Sequence, residues 1–356
     1  MEYNILVINP GSTSTKVAYF EGGRQVYNKS IEHSPEELAP FDDILEQEDF
    51  RAGLISDCME QWGIESSRLS AVAGRGGLLP HMKAGGYIVD DAMVEAIRSG
   101  KASPHASNLG ALLAKKIADP LGIPAYIYDC VTSDEFDDIA GITGMPDVKR
   151  ESMCHVLNMK AVAREVAAAH GTEYQKLNLI VAHLGGGISI SVHHEGRIID
   201  AIRDDAGPFS PERAGSIPLL YVIDMCFSGK YDRREMIRKV RGLGGMKAYL
   251  GTQDCREIEA MIASGDKKAT AVYEAQAYQI AKGIGELAPV LNGEIDYIIL
   301  TGGMAYSEKM THMVSERVSF IAPVEIIPGE REMEALALGA ARILDGEPVR
   351  VYGAEE

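Results

Sequence analysis

No stretch of this 356-residue chain holds the ~18 consecutive apolar residues that a membrane-spanning helix needs. The apolar run near the start, in MEYNILVINPGS, reads as too short for a secretory leader. Cysteine is scarce: Cys58, Cys130, Cys154, Cys226 and Cys255 are odd in number, widely spaced and form no CxxC pair. That pattern argues against a disulfide framework or a zinc site and fits a reducing compartment, so a cytoplasmic protein is expected. Positive charge is also short, with 35 Lys and Arg against 52 Asp and Glu and a net charge of −17. Such an excess repels phosphate backbones and anionic membrane surfaces, which predicts no nucleic-acid and no membrane partner. An anion site must then be built locally, against the overall field.

What is present is ordinary globular material, 46% hydrophobic and 24% charged, with a length that suggests two domains. Strand-like apolar runs occur at 4–9, 16–20, 125–129, 177–184, 188–194 and 296–303, with helical patterns at 107–122, 155–171, 268–291 and 330–344. Their alternation predicts an α/β fold. No short repeat or low-complexity segment appears, but NILVINPGSTSTKVAYFEGGRQV and NLIVAHLGGGISISVHHEGRII share one plan. Each is an apolar strand, a small-residue turn, a second strand, a glycine turn and a third strand. Starting at Asn4 and Asn178, about half the chain apart, they predict two related domains, each opening with a hairpin.

The chemistry lies in the turns. GSTSTK (11–16) is not a Walker A loop, because the second glycine is missing and Val17 opens a strand pattern where that motif has a helix. It still suits an anion: Gly11 permits close backbone approach, Ser12, Thr13, Ser14 and Thr15 offer hydroxyls, and Lys16 offers a charge. HLGGG (183–187) places three glycines after a buried-type strand, costly in entropy unless backbone must approach a ligand. LTGGM (300–304) repeats the strand-glycine arrangement. Together the three loops point to a nucleotide held between two domains. Arg75 lies in GRGG (74–77), where flanking glycines would let its fork reach a substrate carboxylate. SPERAGSIP (210–218) sets Arg213 after Ser210 and Pro211, a helix-start pattern, with Gly215 making room nearby. His193 and His194 are consecutive on a strand, face opposite sides and suggest no site. DDILEQEDF (42–50) and DEFDD (134–138) read as solvated acidic surface.

These segments, with SPHASN (103–108), YDCVTSDEF (128–136), GTQDCREIE (251–259), LTGGMAYSEKM (300–310) and EMEALALGAARIL (332–344), resemble the acetate and butyrate kinase family, within the superfamily of sugar kinases, actin and Hsp70 ATPase domains. They come in family order over nearly the whole chain. The butyrate kinase branch fits best, through INPGSTSTK, GRGG, HLGGGIS and GGMKAYLGT (244–252). The resemblance implies two duplicated actin-like, ribonuclease H-like α/β domains with ATP between them. The first would span 1–154 and regain a returning helix in 332–356; the second would span 155–331 and carry nucleotide and oligomer contacts. The implied activity is a short-chain fatty acid kinase making butyryl phosphate and ADP from butyrate and ATP with Mg²⁺, in a homo-oligomer. Acetate, propionate or a branched acid are alternative substrates. A sugar or polyol kinase, needing a carboxylate base such as Asp129, and an ATP-binding scaffold without turnover are the rival readings.

The resemblance also implies site residues. Arg213 and His155 match positions at the transferring phosphoryl group, and His183 one near the nucleotide phosphates. Asn9, Gly11, Ser12, Ser14 and Lys16 match the first phosphate loop, and Gly185, Gly186 and Gly187 the second. Asp254 and Arg256 match the nucleotide-site pair, and Gly302, Gly303 and Ser307 the adenosine loop. His105 matches an active-site histidine in the substrate region, Asp129 an aspartate near the metal and phosphoryl group, and Glu334 a glutamate associated with Mg²⁺. Three departures stand out: Asn9 replaces the Asp of many superfamily members, Gly186 replaces an Asn of acetate kinases, and Arg75 replaces a His of acetate kinases.

Overall fold

The computed structural model describes residues 3–80 and 82–354; residues 1, 2, 355 and 356, part of the expected first domain, lie outside the described residues. The chain divides into two compact units, Met1–Asp134 with Arg331–Glu356, and Glu135–Glu330. Residues 135–154 pack in the second unit, where the Asp137 amide donates to Ile199 O at 3.1 Å and Arg150 pairs with Asp200 at 2.8 Å.

The first unit is built on β1 (Asn4–Pro10), β2 (Ser14–Glu21), β3 (Arg24–Glu32), β4 (Ala71–Arg75), β5 (Gly86–Ile88) and β6 (Ala125–Tyr128), in the order β3-β2-β1-β4-β6-β5. β1, β2 and β3 form an antiparallel meander, and β4 and β6 add in parallel. β1 and β4 are apolar on both faces because helices pack on them. Leu6, Ile8 and Val72 join one buried cluster with Leu109, Leu112 and Leu113 of helix Asn108–Ala118. Helix Glu332–Leu344 also packs on β1, β4 and β6.

The second unit contains β7 (Leu179–Leu184), β8 (Ile188–His194), β9 (Arg197–Ile202), β10 (Tyr297–Gly302) and β11 (Val324–Pro328), ordered β11-β10-β7-β8-β9. The meander β7-β8-β9 is antiparallel, and β10 and β11 are parallel to β7. This repeats the plan of the first unit, down to a register shift between the second and third meander strands, at Tyr19/Phe20 and at Val192/His193. Along β7, Leu179 and Val181 face the cluster of helix Val156–Ala169, while Ile180, Ala182 and Leu184 face that of helix Lys267–Leu287. Among the described residues no helix is long and apolar enough to cross a membrane.

His193 is fully buried, with Nδ1 at 2.7 Å from Tyr174 Oη and Nε2 at 2.7 Å from Ser191 Oγ. Burial, and after it the charges of Lys160 and Arg164, hold its imidazole well below the ordinary 6.5. The unfolded chain therefore takes up this proton first as pH falls. Stability contributed by neutral His193 is complete above pH 6.5 and is lost below it, at up to about 1.4 kcal/mol per pH unit for one proton. Urea unfolding at pH 7.5 and 5.5 is expected to give a smaller pH-dependent loss for His193→Gln than for wild type; equal losses would show that His193 does not carry the effect.

Candidate active site

In the first unit, β1 and β2 pair as far as Asn9 with Lys16 and Pro10 with Thr15, and residues 11–13 close the turn. Lys16 lies within β2, a strand as the apolar pattern predicts, so the turn is a hairpin loop rather than a helix-capping P-loop. The Gly11 amide donates to Ser14 O at 2.8 Å. The Lys16 side chain is exposed and makes no hydrogen bond or ion pair among the described residues.

Asn9 leads to a residue the motifs did not single out. Its amide Nδ2 donates to Glu332 Oε2 at 2.7 Å, and Glu332 Oε1 lies 3.4 Å from Arg75 Nη2. Glu332, two positions before Glu334 in the first turn of helix Glu332–Leu344, is thus the glutamate gathered with Asn9 and Arg75. Glu334 joins none of the hydrogen bonds or ion pairs described. Two glutamates two residues apart look alike in sequence, but on a helix they are ~200° apart, so only one can face a given partner.

Arg75 ends β4, almost wholly buried, with Nη1 donating to Asp129 O at 3.3 Å. The flanking glycines have a different purpose from the one expected. A Cβ on Gly74 would stand 2.1 Å from Gly110 O, one on Gly76 2.3 Å from Cys130 Sγ, and one on Gly77 2.0 Å from Asn108 Oδ1. GRGG is glycine-rich because a helix and a loop press against it, not to clear a path for a ligand. Asp129 follows β6 with φ +45°, a left-handed conformation that costs a non-glycine residue energy and gathers at functional sites. Its Oδ1 accepts from the Gly85 amide at 2.9 Å, and its own amide donates to Gly85 O at 3.1 Å. His105 sits in the exposed turn before helix Asn108–Ala118, with Nδ1 at 2.7 Å from Ser107 Oγ.

In the second unit, the end of β7 carries His183 into the loop 185–187. His183 and His155 stack with ring centroids 3.8 Å apart and planes 7° from parallel. Asn158 Nδ2 donates to His183 Nδ1 at 3.0 Å, which leaves the ring proton on Nε2. His155 Nδ1 lies 2.8 Å from Ser189 Oγ on the neighbouring strand. A Cβ on Gly187 would stand 2.6 Å from Arg213 Nη1 and 2.7 Å from Cζ, so the third glycine is required by the guanidinium lying on it. A Cβ on Gly185 would come within 2.9 Å of His183 Nε2. Sequence and packing thereby join His155, His183, the triple glycine and Arg213 in one cluster.

Arg213 pairs with Asp204, whose other oxygen is 2.9 Å from Arg241 Nη2. Burial, then the charge of Arg241, pushes the Arg213 guanidinium down from its ordinary value. The expected helix start at Ser210–Pro211 is absent. Ser210 Oγ does accept the Arg213 amide at 3.1 Å, as an N-cap would, but the chain then bridges to Arg241 and the helix begins at Leu219. Gly215, at φ +65°, makes the turn that prevents helical continuation, and a Cβ there would stand 2.5 Å from Phe209 N.

Gly185, Gly186, Glu212, Gln253, Gly303 and Met304 help line a hollow of about 280 Å³, which joins the loops after β7 and β10 to the segment before Asp254. Asp254 caps helix Cys255–Ala263 and pairs with Arg256 at 2.6 Å, whose hydrogen bonds hold its carboxyl at about 2. Gly302, at φ +89°, approaches Leu184 closely: a Cβ there would be 2.5 Å from Leu184 O, whereas Gly303 faces open space. Ser307 caps helix Glu308–Val318, and its hydroxyl also donates to Glu259. A larger apolar hollow of about 650 Å³, beside Phe209, Met236 and Val272, is lined by none of these predicted residues and is not part of the site.

The profile of the acetokinase family matches residues 148–326. A probable butyrate kinase 2 of Caldanaerobacter subterraneus subsp. tengcongensis is 46% identical over 353 residues, covering 99% of this chain and 100% of that protein. The chain belongs to the acetokinase family. A probable butyrate kinase of Clostridium botulinum is 45% identical, covering 98% of each chain. Among solved structures, the acetate kinase of Porphyromonas gingivalis is similar with a TM-score of 0.79 at 18% identity, covering 96% of this chain and 100% of that one. At that identity the likeness speaks for the fold alone, the two-domain actin-like α/β architecture that the family resemblance implies.

Proposed function

We propose that this member of the acetokinase family is a butyrate kinase, transferring the terminal phosphoryl group of ATP in line to the butyrate carboxylate to give ADP and butyryl phosphate. The observation that carries the reading is the full-length identity of 46% to a relative bearing that name. The side chains support it. A carboxylate is already ionised at neutral pH, so the acceptor needs no general base, only cations and donors around the moving group. In this reading Arg213 and His155 serve the phosphoryl group, His183 lies with the nucleotide phosphates, Arg75 holds the acid, and the loops at Asn9, 11–16 and 185–187 hold phosphates. Asp254, Arg256, Gly302, Gly303 and the Ser307 backbone serve the nucleoside, His105 the acid side, and Asp129 the phosphoryl side.

The family uses ATP, and Mg²⁺ belongs to the proposal. Among the described residues no three His, Cys, Asp or Glu side chains form a metal cage. Mg²⁺ is commonly held by one or two carboxylates and the substrate's own phosphates, and the Glu332 carboxylate beside Asn9 fits that demand better than Glu334. Bound there with ATP, the ion would neutralise phosphate charge. The proposal further takes the protein as cytoplasmic and homo-oligomeric.

ATP, Mg²⁺, butyrate and hydroxylamine together are expected to yield butyryl hydroxamate. Acetate, propionate and isobutyrate in parallel would rank the acids. No hydroxamate from any acid, with ADP release on glucose or glycerol, would overturn the carboxylate reading.

A further inference from the structure

Arg51, on helix Glu48–Gln61, is fully buried and has no role in the reading above. Its Nη1 donates to Gly11 O at 2.8 Å, Ser14 O at 2.9 Å and Thr15 Oγ1 at 3.0 Å, and its Nη2 to Ser12 O at 3.1 Å. Gln47 Oε1 orients it, accepting from Nε at 3.0 Å and Nη2 at 2.7 Å. The remaining carbonyl, that of Thr13, accepts from the His33 amide at 2.8 Å, and His33 Nε2 lies 2.9 Å from Thr15 Oγ1. Every carbonyl of residues 11–14 is therefore occupied from within the unit. The amides of Ser12 and Thr13 make no hydrogen bond among the described residues. None of the ion pairs described includes Arg51, and burial pushes its guanidinium down to about 10.

We propose that Arg51 is the positioning residue of the 11–16 loop: by holding the carbonyls of Gly11, Ser12 and Ser14 it leaves the Ser12 and Thr13 amides and the hydroxyls of residues 12–14 to a polyphosphate, and it places a positive charge behind them. This rests on the reading of 11–16 as a phosphate loop. The geometry requires a fork. Lysine has three donors on one nitrogen and cannot reach three carbonyls, a hydroxyl and Gln47 together. Carbonyls released from the guanidinium would be free to turn toward an incoming phosphate, which they repel.

The test compares wild type with Arg51→Lys well below the melting temperature of both. Losing charge-assisted hydrogen bonds to the loop is expected to raise the KM for ATP about 10-fold or more, with the KM for butyrate moving less than about two-fold. Amide exchange at residues 11–15 should quicken while that of β4 stays unchanged. Inorganic pyrophosphate should slow exchange at 11–15 in wild type and much less in the variant. A folded variant with wild-type ATP KM and wild-type loop exchange overturns the proposal, as does a lower melting temperature with both unchanged, which would make Arg51 plain structural support. Wild type without hydroxamate production refutes the kinase reading alone, and exchange with pyrophosphate then decides for Arg51: protection in wild type and not in the variant supports it, equal behaviour sinks it. Should Arg51→Lys not fold, Gln47→Met, which removes the orienting acceptor, is expected to move the same readouts in the same direction by less, and wild-type behaviour there counts against the proposal.

Discussion

Arg213→Ala is expected to lower kcat by about 10³, in the range lost with arginine fingers, with much smaller changes in the KM for ATP and for butyrate. The guanidinium lies on Gly187 in the loop beside His183, partly withdrawn from water, where a cation acts more strongly on a migrating charge than it would in solvent. The opposing view makes Arg213 a partner of Asp204 and nothing more. The structure limits what that role is worth. Asp204 keeps Arg241 at 2.9 Å when Arg213 is gone, so no carboxylate is stranded, and the stability cost should be ~1 kcal/mol. One preparation decides between the views. A large loss of kcat with a nearly unchanged melting curve supports catalysis. An earlier melt with normal turnover refutes it.

Arg75→Lys is expected to reduce kcat/KM for butyrate by about 10-fold or more, ~1.4 kcal/mol or above, because an ammonium cannot reproduce a bidentate fork on a carboxylate. The KM for ATP should move little. Lysine is the informative substitution here. Arg75 is 6% exposed and faces Glu332, so alanine would leave a poorly solvated carboxylate behind and mix a folding defect into the kinetics. If Arg75 only tethers Glu332, lysine keeps that charge pair and butyrate kinetics stay normal, which would remove Arg75 from the substrate site. Glu332→Gln is a useful companion. If the glutamate belongs with the metal and ATP, its loss should appear in the ATP and Mg²⁺ dependence, not in the KM for the acid.

Much of this protein is written locally. The shared plan of residues 4–26 and 178–199 predicts two strand-turn-strand-turn-strand units, and both form, because the pairing partners are near neighbours in the chain and the glycine turns fit them. The apolar runs at 125–129 and 296–303 become parallel strands for the same reason their composition suggests, burial on both faces. The glycine loop at 185–187 and the histidine before it are legible too, since the rarity of three glycines after a buried strand is itself a signal. Family membership follows from motifs in order.

What stayed hidden depends on partners far apart in sequence. Glu332 meets Asn9 across 323 positions, and no local pattern separates it from Glu334. Arg51 stands just beyond an acidic run that reads as surface, yet it is among the most buried side chains, because residues 37–40 positions earlier supply its acceptors. Gly74 and Gly76 read as ligand clearance, whereas the neighbour that excludes a side chain is Gly110 in one case and Cys130 in the other. Ser210 and Pro211 look like a helix start, but the Arg213–Arg241 bridge and the left-handed Gly215 take the backbone elsewhere. Periodicity and turn chemistry report interactions within a few residues. Which carboxylate reaches which cation, and which carbonyls a buried guanidinium holds, is settled only when the sheet has brought distant segments together.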